Sequence, residues 1–304
     1  MSFFQRLRQR IRPSKSEAPA RPVKIVTDST ADLPPKVVAE LGITVVPLQV
    51  IFGDKAYRDG VDISSEQFFR MLAEAKELPH TSQPSTGEFQ RVYETLAAET
   101  DSILSIHLSA GFSGTANTAQ LAARGLIGRC AIDVIDSGTV SMAMGFAVIA
   151  AARAARDGRG LEACAAAAHS ILRRQRLAVT VDTLEYLRRG GRIGRAQAFV
   201  GGLLRLKPIL TIRDGGAFPL ARVRTRRRAL DEMLRICLEG ATIEEAVIMD
   251  STTPDDARYL TDELAKRCPG VLIHSGRIGP VIGVHGGPGL IGLAVVIAEP
   301  RALP

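Results

Sequence analysis

The chain contains no tryptophan, and aromatic residues make up only 5% of its 304 positions. Base-stacking platforms of the kind that hold single-stranded nucleic acid are therefore not expected. Cysteine is scarce as well. Cys130, Cys164, Cys237 and Cys268 stand at least 31 residues apart, without metal-ligand spacing and mostly among apolar neighbours. That is the setting of buried free thiols, and a reduced, cytosolic protein without a metal is the simplest reading. Long hydrophobic runs are missing too. The longest, residues 140–152, stops at Arg153 and is too short to cross a bilayer. The basic start leads into no apolar core of a secretory signal. No Walker A sequence and no HExxH is present, which removes the commonest nucleotide and zinc-protease motifs. Gly287-Pro288-Gly289-Leu290-Ile291-Gly292 matches GxGxxG letter for letter, but only a dozen residues follow it, too few for a βαβ unit.

What is present is an ordinary soluble composition, 46% apolar and 23% charged, long enough for two domains with cores of their own. The net charge of +7 is not spread evenly. Residues 1–24 hold seven Lys/Arg and one Glu, a balance of +6, so the remaining 280 residues carry +1. A nearly neutral body counts against a DNA or RNA partner. Residues 1–21 read as an extension closed off by Pro13, Pro19 and Pro22. Within it Phe3, Phe4, Leu7 and Ile11 share one arc of a helical wheel, and Arg6, Arg8, Arg10 and Arg12 fill the rest. Two readings stand: a disordered solubilising tail, since a short helix nucleates poorly in water, or a basic amphipathic helix over residues 1–12 touching an anionic membrane surface.

From residue 23 onward β and α patterns alternate. Buried-type strands are expected at residues 23–27, 43–51, 102–106 and 131–135, with a hairpin excursion at 52–60. Helices are expected at 34–41, 65–75, 86–98 and 113–124, then along an Ala-rich stretch to about Arg173. This alternation argues a doubly wound, mostly parallel sheet. Beyond residue 174 the texture changes. A strand at 177–181, helices at 182–189 and 195–204, and hairpin strands at 209–213 and 218–223 around Asp214-Gly215-Gly216 lead to helices at 225–238 and 254–266. Strands at 245–249 and 290–298 complete an α/β unit with a mixed sheet. The expected division is an extension, 1–21, an amino-terminal α/β domain, 22–170, and a carboxy-terminal α/β domain, 171–304.

Chemistry concentrates in three expected loops: Thr81-Ser82-Gln83-Pro84-Ser85-Thr86-Gly87, Ser109-Ala110-Gly111-Phe112-Ser113-Gly114-Thr115 and His285-Gly286-Gly287-Pro288-Gly289. The first two each open a helix, so free N–H groups are expected to face whatever binds there. Hydroxyls that both donate and accept suit an anionic head group. Asp28-Ser29-Thr30-Ala31-Asp32 stands at the carboxyl end of the first strand, where open α/β sheets place ligands. Its residues also suit plain side-chain-to-backbone turns. His285 reads as a loop residue among glycines, free to face a site. Gly111-Phe112-Ser113-Gly114-Thr115 is one residue away from a nucleophile elbow. A serine acyl hydrolase with Ser113 as nucleophile, His285 as base and Asp28 or Asp136 as acid therefore stays open as an alternative. Arg188, Arg189 and Arg192 around Gly190-Gly191, and Arg222, Arg224, Arg226, Arg227 and Arg228, are solvated faces or a docking surface for an acidic or phosphorylated partner.

Taken together, the chain resembles the DegV family of bacterial fatty-acid-binding proteins. The resemblance rests on Thr27-Asp28-Ser29-Thr30-Ala31-Asp32-Leu33-Pro34, Thr81-Ser82-Gln83-Pro84-Ser85, the 109–115 segment, Asp136-Ser137, residues 184–193, Leu206-Lys207-Pro208-Ile209, and Gly279-Pro280 with His285 and Gly287-Pro288-Gly289. Seven such motifs in the right order are specific where each alone is weak. Gly286 departs from the usual residue after the histidine. The resemblance implies a two-domain DegV-like α/β fold with one acyl chain buried inside, and a carrier rather than a catalyst. It also implies an ATP-dependent fatty acid kinase subunit as partner, which makes an acyl phosphate for phospholipid synthesis. By matching positions Thr81, Ser82, Ser113, Gly114 and His285 would bind the carboxylate, and Asp28, Ser29, Thr30, Phe112 and Asn117 would line the site. Arg189, Arg192 and Arg222 would face the kinase. No cofactor and no metal is implied beyond the bound fatty acid, and the expected location is cytoplasmic, with a peripheral contact at the inner membrane face through the extension.

Overall fold

The computed structural model describes residues 21–199, 206–213 and 215–299. Residues 1–12, read as a solubilising tail or a basic amphipathic helix, the apolar residues 200–204 and Asp214 lie outside the described residues.

In chain order the first half comprises β1 (Lys24–Asp28), α1 (Pro35–Leu41), β2 (Thr44–Val46), β3 (Gln49–Phe52), β4 (Lys55–Arg58), α2 (Ser65–Glu74) and β5 (His80–Ser82). It continues through α3 (Thr86–Ala97), β6 (Ser102–His107), α4 (Thr115–Arg124), β7 (Ala131–Asp136), α5 (Ser141–Arg156) and α6 (Leu161–Arg174). The second half comprises β8 (Gln175–Thr180), α7 (Glu185–Arg189), a 3₁₀ turn (Gly194–Phe199), β9 (Lys207–Arg213), β10 (Gly216–Val223) and α8 (Arg226–Leu238). Then follow β11 (Ile243–Asp250), α9 (Pro254–Arg267), β12 (Leu272–Arg277), α10 (Pro280–Gly286) and β13 (Ile291–Ile297).

Strands β2, β1, β6 and β7 form a parallel sheet in that order. Phe89 and Tyr93 of α3 and Ala119 of α4 cover one face against Val26 and Ile103. The other face, with Ile25, Leu104 and Ile106, is covered by the alanines of α5 and α6, among them Ala147, Ala151 and Ala168. A six-stranded mixed sheet follows, ordered β10-β9-β8-β13-β11-β12, in which only β11 and β12 run parallel. Period-two alternation in β13 splits its side chains cleanly. Ile291, Leu293 and Val295 face α8 and α9, whereas Ala294 and Val296 face Met142 and Phe146 of α5. Helix α5 is therefore packed between the two sheets, which explains a sequence apolar on all sides rather than along one stripe.

Four expectations change. The strand expected at 43–51 is two strands: Pro47, which has no N–H to donate, separates β2 from β3. The chain there leaves the parallel sheet for a small antiparallel one, β4-β3-β5. Thr81 and Ser82, expected in a loop, form the end of its edge strand β5, paired with Val50 and Gln49. The Ala-rich stretch breaks into α5 and α6 at Gly158, which takes φ 75°. Residues 194–199 are a 3₁₀ turn where a helix over 195–204 is expected.

His285 is the fifth correction and the one nearest the chemistry. It stands in the last turn of α10, not in a loop. Gly286 at the end of α10 serves close packing, as does Gly283 before it, whereas Gly287 and Gly289 take the positive φ of a turn, 73° and 80°. A Cβ at Gly283 would lie 2.5 Å from Phe68 and 2.9 Å from Phe69, and one at Gly286 2.4 Å from Leu290.

Candidate functional site

A cavity of about 360 Å³ opens between the inner face of the mixed sheet and the start of α5. That is within the range of ligand pockets, roughly 300–1,000 Å³. Its walls are mostly apolar: Leu177 and Val179 from β8, Leu210 and Ile212 from β9, Val247 and Met249 from β11, Met142 and Ala143 from α5, and Ile282 from α10. The small residues Gly292 and Ala294 of β13 leave the floor open.

Polar groups gather where β5, the loop before α4, and α10 meet. Thr81, Ser82, Gln83, Ser113, Arg192 and His285 all line the cavity. Thr81 Oγ1 and His285 Nε2 are 3.0 Å apart. Ser113 Oγ lies 2.9 Å from Thr115 Oγ1. Gln83 donates to Thr118 Oγ1 at 2.8 Å, and its amide fills the space above Gly114, where a Cβ would come within 2.7 Å of it. The guanidinium of Arg192 donates from Nε to the Phe112 carbonyl at 3.0 Å and from Nη1 to the Gly190 carbonyl at 2.7 Å. It thereby staples the 109–115 loop to the end of α7.

The electrostatics favour a neutral imidazole. Burial, and secondarily the charge of Arg192, hold His285 down at about 4, so it is uncharged at neutral pH. Its Nδ1 is buried without a partner beneath Gly190, whose added Cβ would stand 2.3 Å away. The two helix starts differ. Ser85 and Glu88 close the amino end of α3 in a reciprocal capping box, so the Ser85 and Glu88 amides are already used. Helix α4 begins at Gly114 with no side-chain cap, leaving backbone donors beside Ser113. The arrangement can hold an anionic head group on hydroxyls, backbone amides and a neutral histidine, with one arginine nearby and an apolar chamber behind.

Of the residues expected to line the site, Thr30 and Phe112 do so. Asp28 lies behind the wall, fully buried, accepting from His107 Nδ1 at 2.9 Å, Leu108 N at 3.0 Å and Thr30 Oγ1 at 2.5 Å. Ser29 accepts from Leu48 N at 3.1 Å, and Asn117 is exposed, away from the cavity. Of the expected docking arginines, Arg189 is exposed and paired with Glu185, and Arg222 is exposed with its guanidinium 4.6 Å over the Phe199 ring. Arg192 is turned inward. Sequence reasoning missed Gln83, although it directly follows the chosen Ser82, and Ser141, for which the sequence carries no signal.

The residues of the alternative hydrolase are not assembled as a triad. The hydrogen bonds of Ser113 and His285 go to Thr115 and Thr81, and Asp136 accepts from the Ala110 and Gly138 amides. A serine–histidine–aspartate chain does exist elsewhere: Ser105 Oγ is 2.7 Å from His107 Nε2, and His107 Nδ1 meets Asp28. All three are wholly buried, and Tyr93 donates into Ser105 at 2.8 Å, so the chain braces the end of β1 out of reach of any substrate. Among the described residues no cluster of His, Cys, Asp or Glu could hold a metal ion, and no helix is long and apolar enough to cross a membrane.

The family model described as uncharacterised protein, DegV family, matches residues 22–298. The chain belongs to the DegV family. A DegV domain-containing protein of Streptomyces coelicolor is 40% identical over 281 residues, covering 91% of this chain and 99% of that one. The DegV protein of Bacillus subtilis is 33% identical over 275 residues, covering 89% and 98%. Among solved structures, a DegV family protein from Thermus thermophilus, reported for its fatty acid binding, superposes with a TM-score of 0.85 at 36% identity, covering 91% of this chain and 100% of that one. The Bacillus subtilis DegV structure, a fatty acid binding protein, gives 0.84 at 32%, covering 92% and 100%. The α/β architecture of this DegV chain, a parallel sheet followed by a mixed one, is thus that of its family.

Proposed function

We propose that the chain binds one long-chain fatty acid, with the tail in the apolar chamber and the carboxylate at Thr81, Ser82, Ser113, Gly114 and His285. The observation that carries this reading is the junction itself: a mostly apolar cavity whose polar residues converge near the uncapped start of α4. The fatty acids bound by the Thermus thermophilus and Bacillus subtilis relatives support it. Each buried CH₂ contributes roughly 0.8 kcal/mol, so a sixteen-carbon tail offers about 11–12 kcal/mol before ordering losses. The tail supplies affinity, and the head-group residues need only satisfy a carboxylate that burial would otherwise penalise. Neutral donors do this without locking the carboxylate into a bidentate ion pair. The arrangement suits a carrier that offers a carboxylate oxygen to an ATP-dependent kinase subunit for acyl-phosphate formation, feeding phospholipid synthesis. Arg189 and Arg222 are the solvent-facing cations we assign to that contact, and residues 1–12 the candidate contact with the inner membrane face.

Fatty acids of increasing chain length, compared with the matching alcohols, test the head and tail assignments separately. Affinity rising with each methylene, and falling for the alcohol, is expected. Equal affinity for acid and alcohol would remove the carboxylate assignment. Phosphate transfer from ATP to the loaded carrier by a bacterial fatty acid kinase subunit, weakened by Arg189→Glu, tests the partner. Unchanged transfer would remove the docking assignment.

A further inference from the structure

A second polar cluster, buried at Asp59 and half-buried around it, ties together elements that build the cavity. The 3₁₀ turn after β1 ends at Asp32, held at φ 51°. Asp32 Oδ2 accepts from Ser141 Oγ, the first residue of α5, at 2.6 Å, and Oδ1 accepts from Gly279 N, the amino-terminal cap of α10, at 3.1 Å. Asp59, 4% exposed just after β4, faces the Ser29 hydroxyl and the Val281 amide, and its Oδ2 has no partner. Both carboxylates reach the same point. A Cβ at Gly279 would stand 2.5 Å from Asp32 Oδ1 and 3.5 Å from Asp59 Oδ1, so only glycine fits. Ser65 Oγ adds a bond to the Ile278 carbonyl at 2.6 Å. The amino end of α10 is thus clamped by acid and hydroxyl groups, while Val281, Ile282 and His285 face the cavity and Ser141, Met142 and Ala143 line it from α5.

We propose that Asp32 and Asp59 are positioning residues for the head-group end of the cavity, Asp32 tying α10 to α5 and the ionisation of Asp59 setting how firmly α10 presents His285. The proposal rests on the fatty-acid reading above. An ionised carboxylate attracts the amide dipoles at a helix start, and protonation weakens that attraction. Burial raises Asp59 to about 6, with Asp28 adding to the rise, and burial likewise pushes Asp32 well above the usual carboxylate range, with Asp59 and Asp28 adding to it. The other charged groups around the cluster are committed or remote. Asp28 pairs with His107, Arg58 pairs with Asp62 at the surface, Arg70 of α2 pairs with Glu66, and His285 is the titratable group of α10.

The test measures binding of a fluorescent long-chain fatty acid, cis-parinaric acid, by the full chain between about pH 5 and about pH 8. Affinity is expected to fall about two- to fivefold as pH drops through the Asp59 transition, on top of the ligand's own titration. Asp59→Asn, neutral at every pH, should remove that step and hold affinity at the acid-side value throughout. Asp32→Ala should weaken binding, and Asp32→Asn, which keeps an acceptor for Gly279 N, should restore most of it. An Asp59→Asn profile superposed on that of the native chain, or an Asp32→Asn variant no better than Asp32→Ala, would overturn the proposal. Failure of the native chain to bind at any pH would instead overturn the fatty-acid reading and take the proposal with it.

Discussion

Replacing Gly190 by alanine isolates the role assigned to His285. Gly190 closes α7 at φ −73° and ψ −7°, ordinary helical values, so alanine adds no backbone strain. The new methyl would stand 2.3 Å from His285 Nδ1 and 3.0 Å from Cε1, with the Tyr186 carbonyl at 3.1 Å behind it. Contacts that short do not persist, and the ring is the part free to turn. Turning it breaks the 3.0 Å contact with Thr81 and withdraws a donor from the head group. Losing one hydrogen bond to a charged group amounts to about 1.5–3 kcal/mol, or about ten- to hundredfold in Kd. Calorimetric titration with palmitate measures it, and circular dichroism confirms the fold. His285→Ala should lose a similar amount, and the double variant should be no worse than His285→Ala alone, because both act through one ring. Native affinity in Gly190→Ala, or additive losses in the double variant, would refute the reasoning.

His285 also sets a pH dependence of stability. Its folded-state value of about 4 is below the unfolded 6.5, so the unfolded chain takes up the proton first and native stability falls as pH drops through that window. The full difference is about 3 kcal/mol, and His285→Gln should gain on the native chain by about that much in calorimetric scans toward pH 4; a constant gap would contradict it. Gly283→Ala forces a methyl against Phe68 and Phe69 and should destabilise by about 1–3 kcal/mol in urea unfolding. An unchanged urea midpoint would mean the rings yield freely. Tyr93→Phe leaves Ser105 without its donor and should lower stability by about 1 kcal/mol with ligand affinity intact. Weakened binding would show that the buried chain reaches the cavity.

Period and punctuation carried the alternating architecture, because buried strands such as β6 and β13 are apolar runs bounded by turn residues. The hydroxyl-rich segments were legible too, since Thr81, Ser82 and Ser113 reach one cavity through motifs readable in the chain itself. What was not legible is tertiary. His285 looked like a loop residue because Gly286, Gly287 and Gly289 follow it, and only the neighbouring Leu290 reveals why Gly286, inside the helix, lacks a side chain. Arg192 looked like a surface cation, yet the Phe112 and Gly190 carbonyls, distant from each other in sequence, turn it inward. Asp28 shares a motif with Thr30, and Asn117 closely follows the one that holds Ser113, but a strand end and a helix face point neighbouring side chains in different directions. Strand β5 escaped notice because three residues of an edge strand give no period to read.

The central claim is that the cavity holds a fatty acid, and a native mass spectrum of gently purified protein, followed by solvent extraction and identification of what is released, tests it most directly. One long-chain fatty acid per chain is the predicted result. A bare polypeptide that stays bare after incubation with free fatty acids would contradict the account.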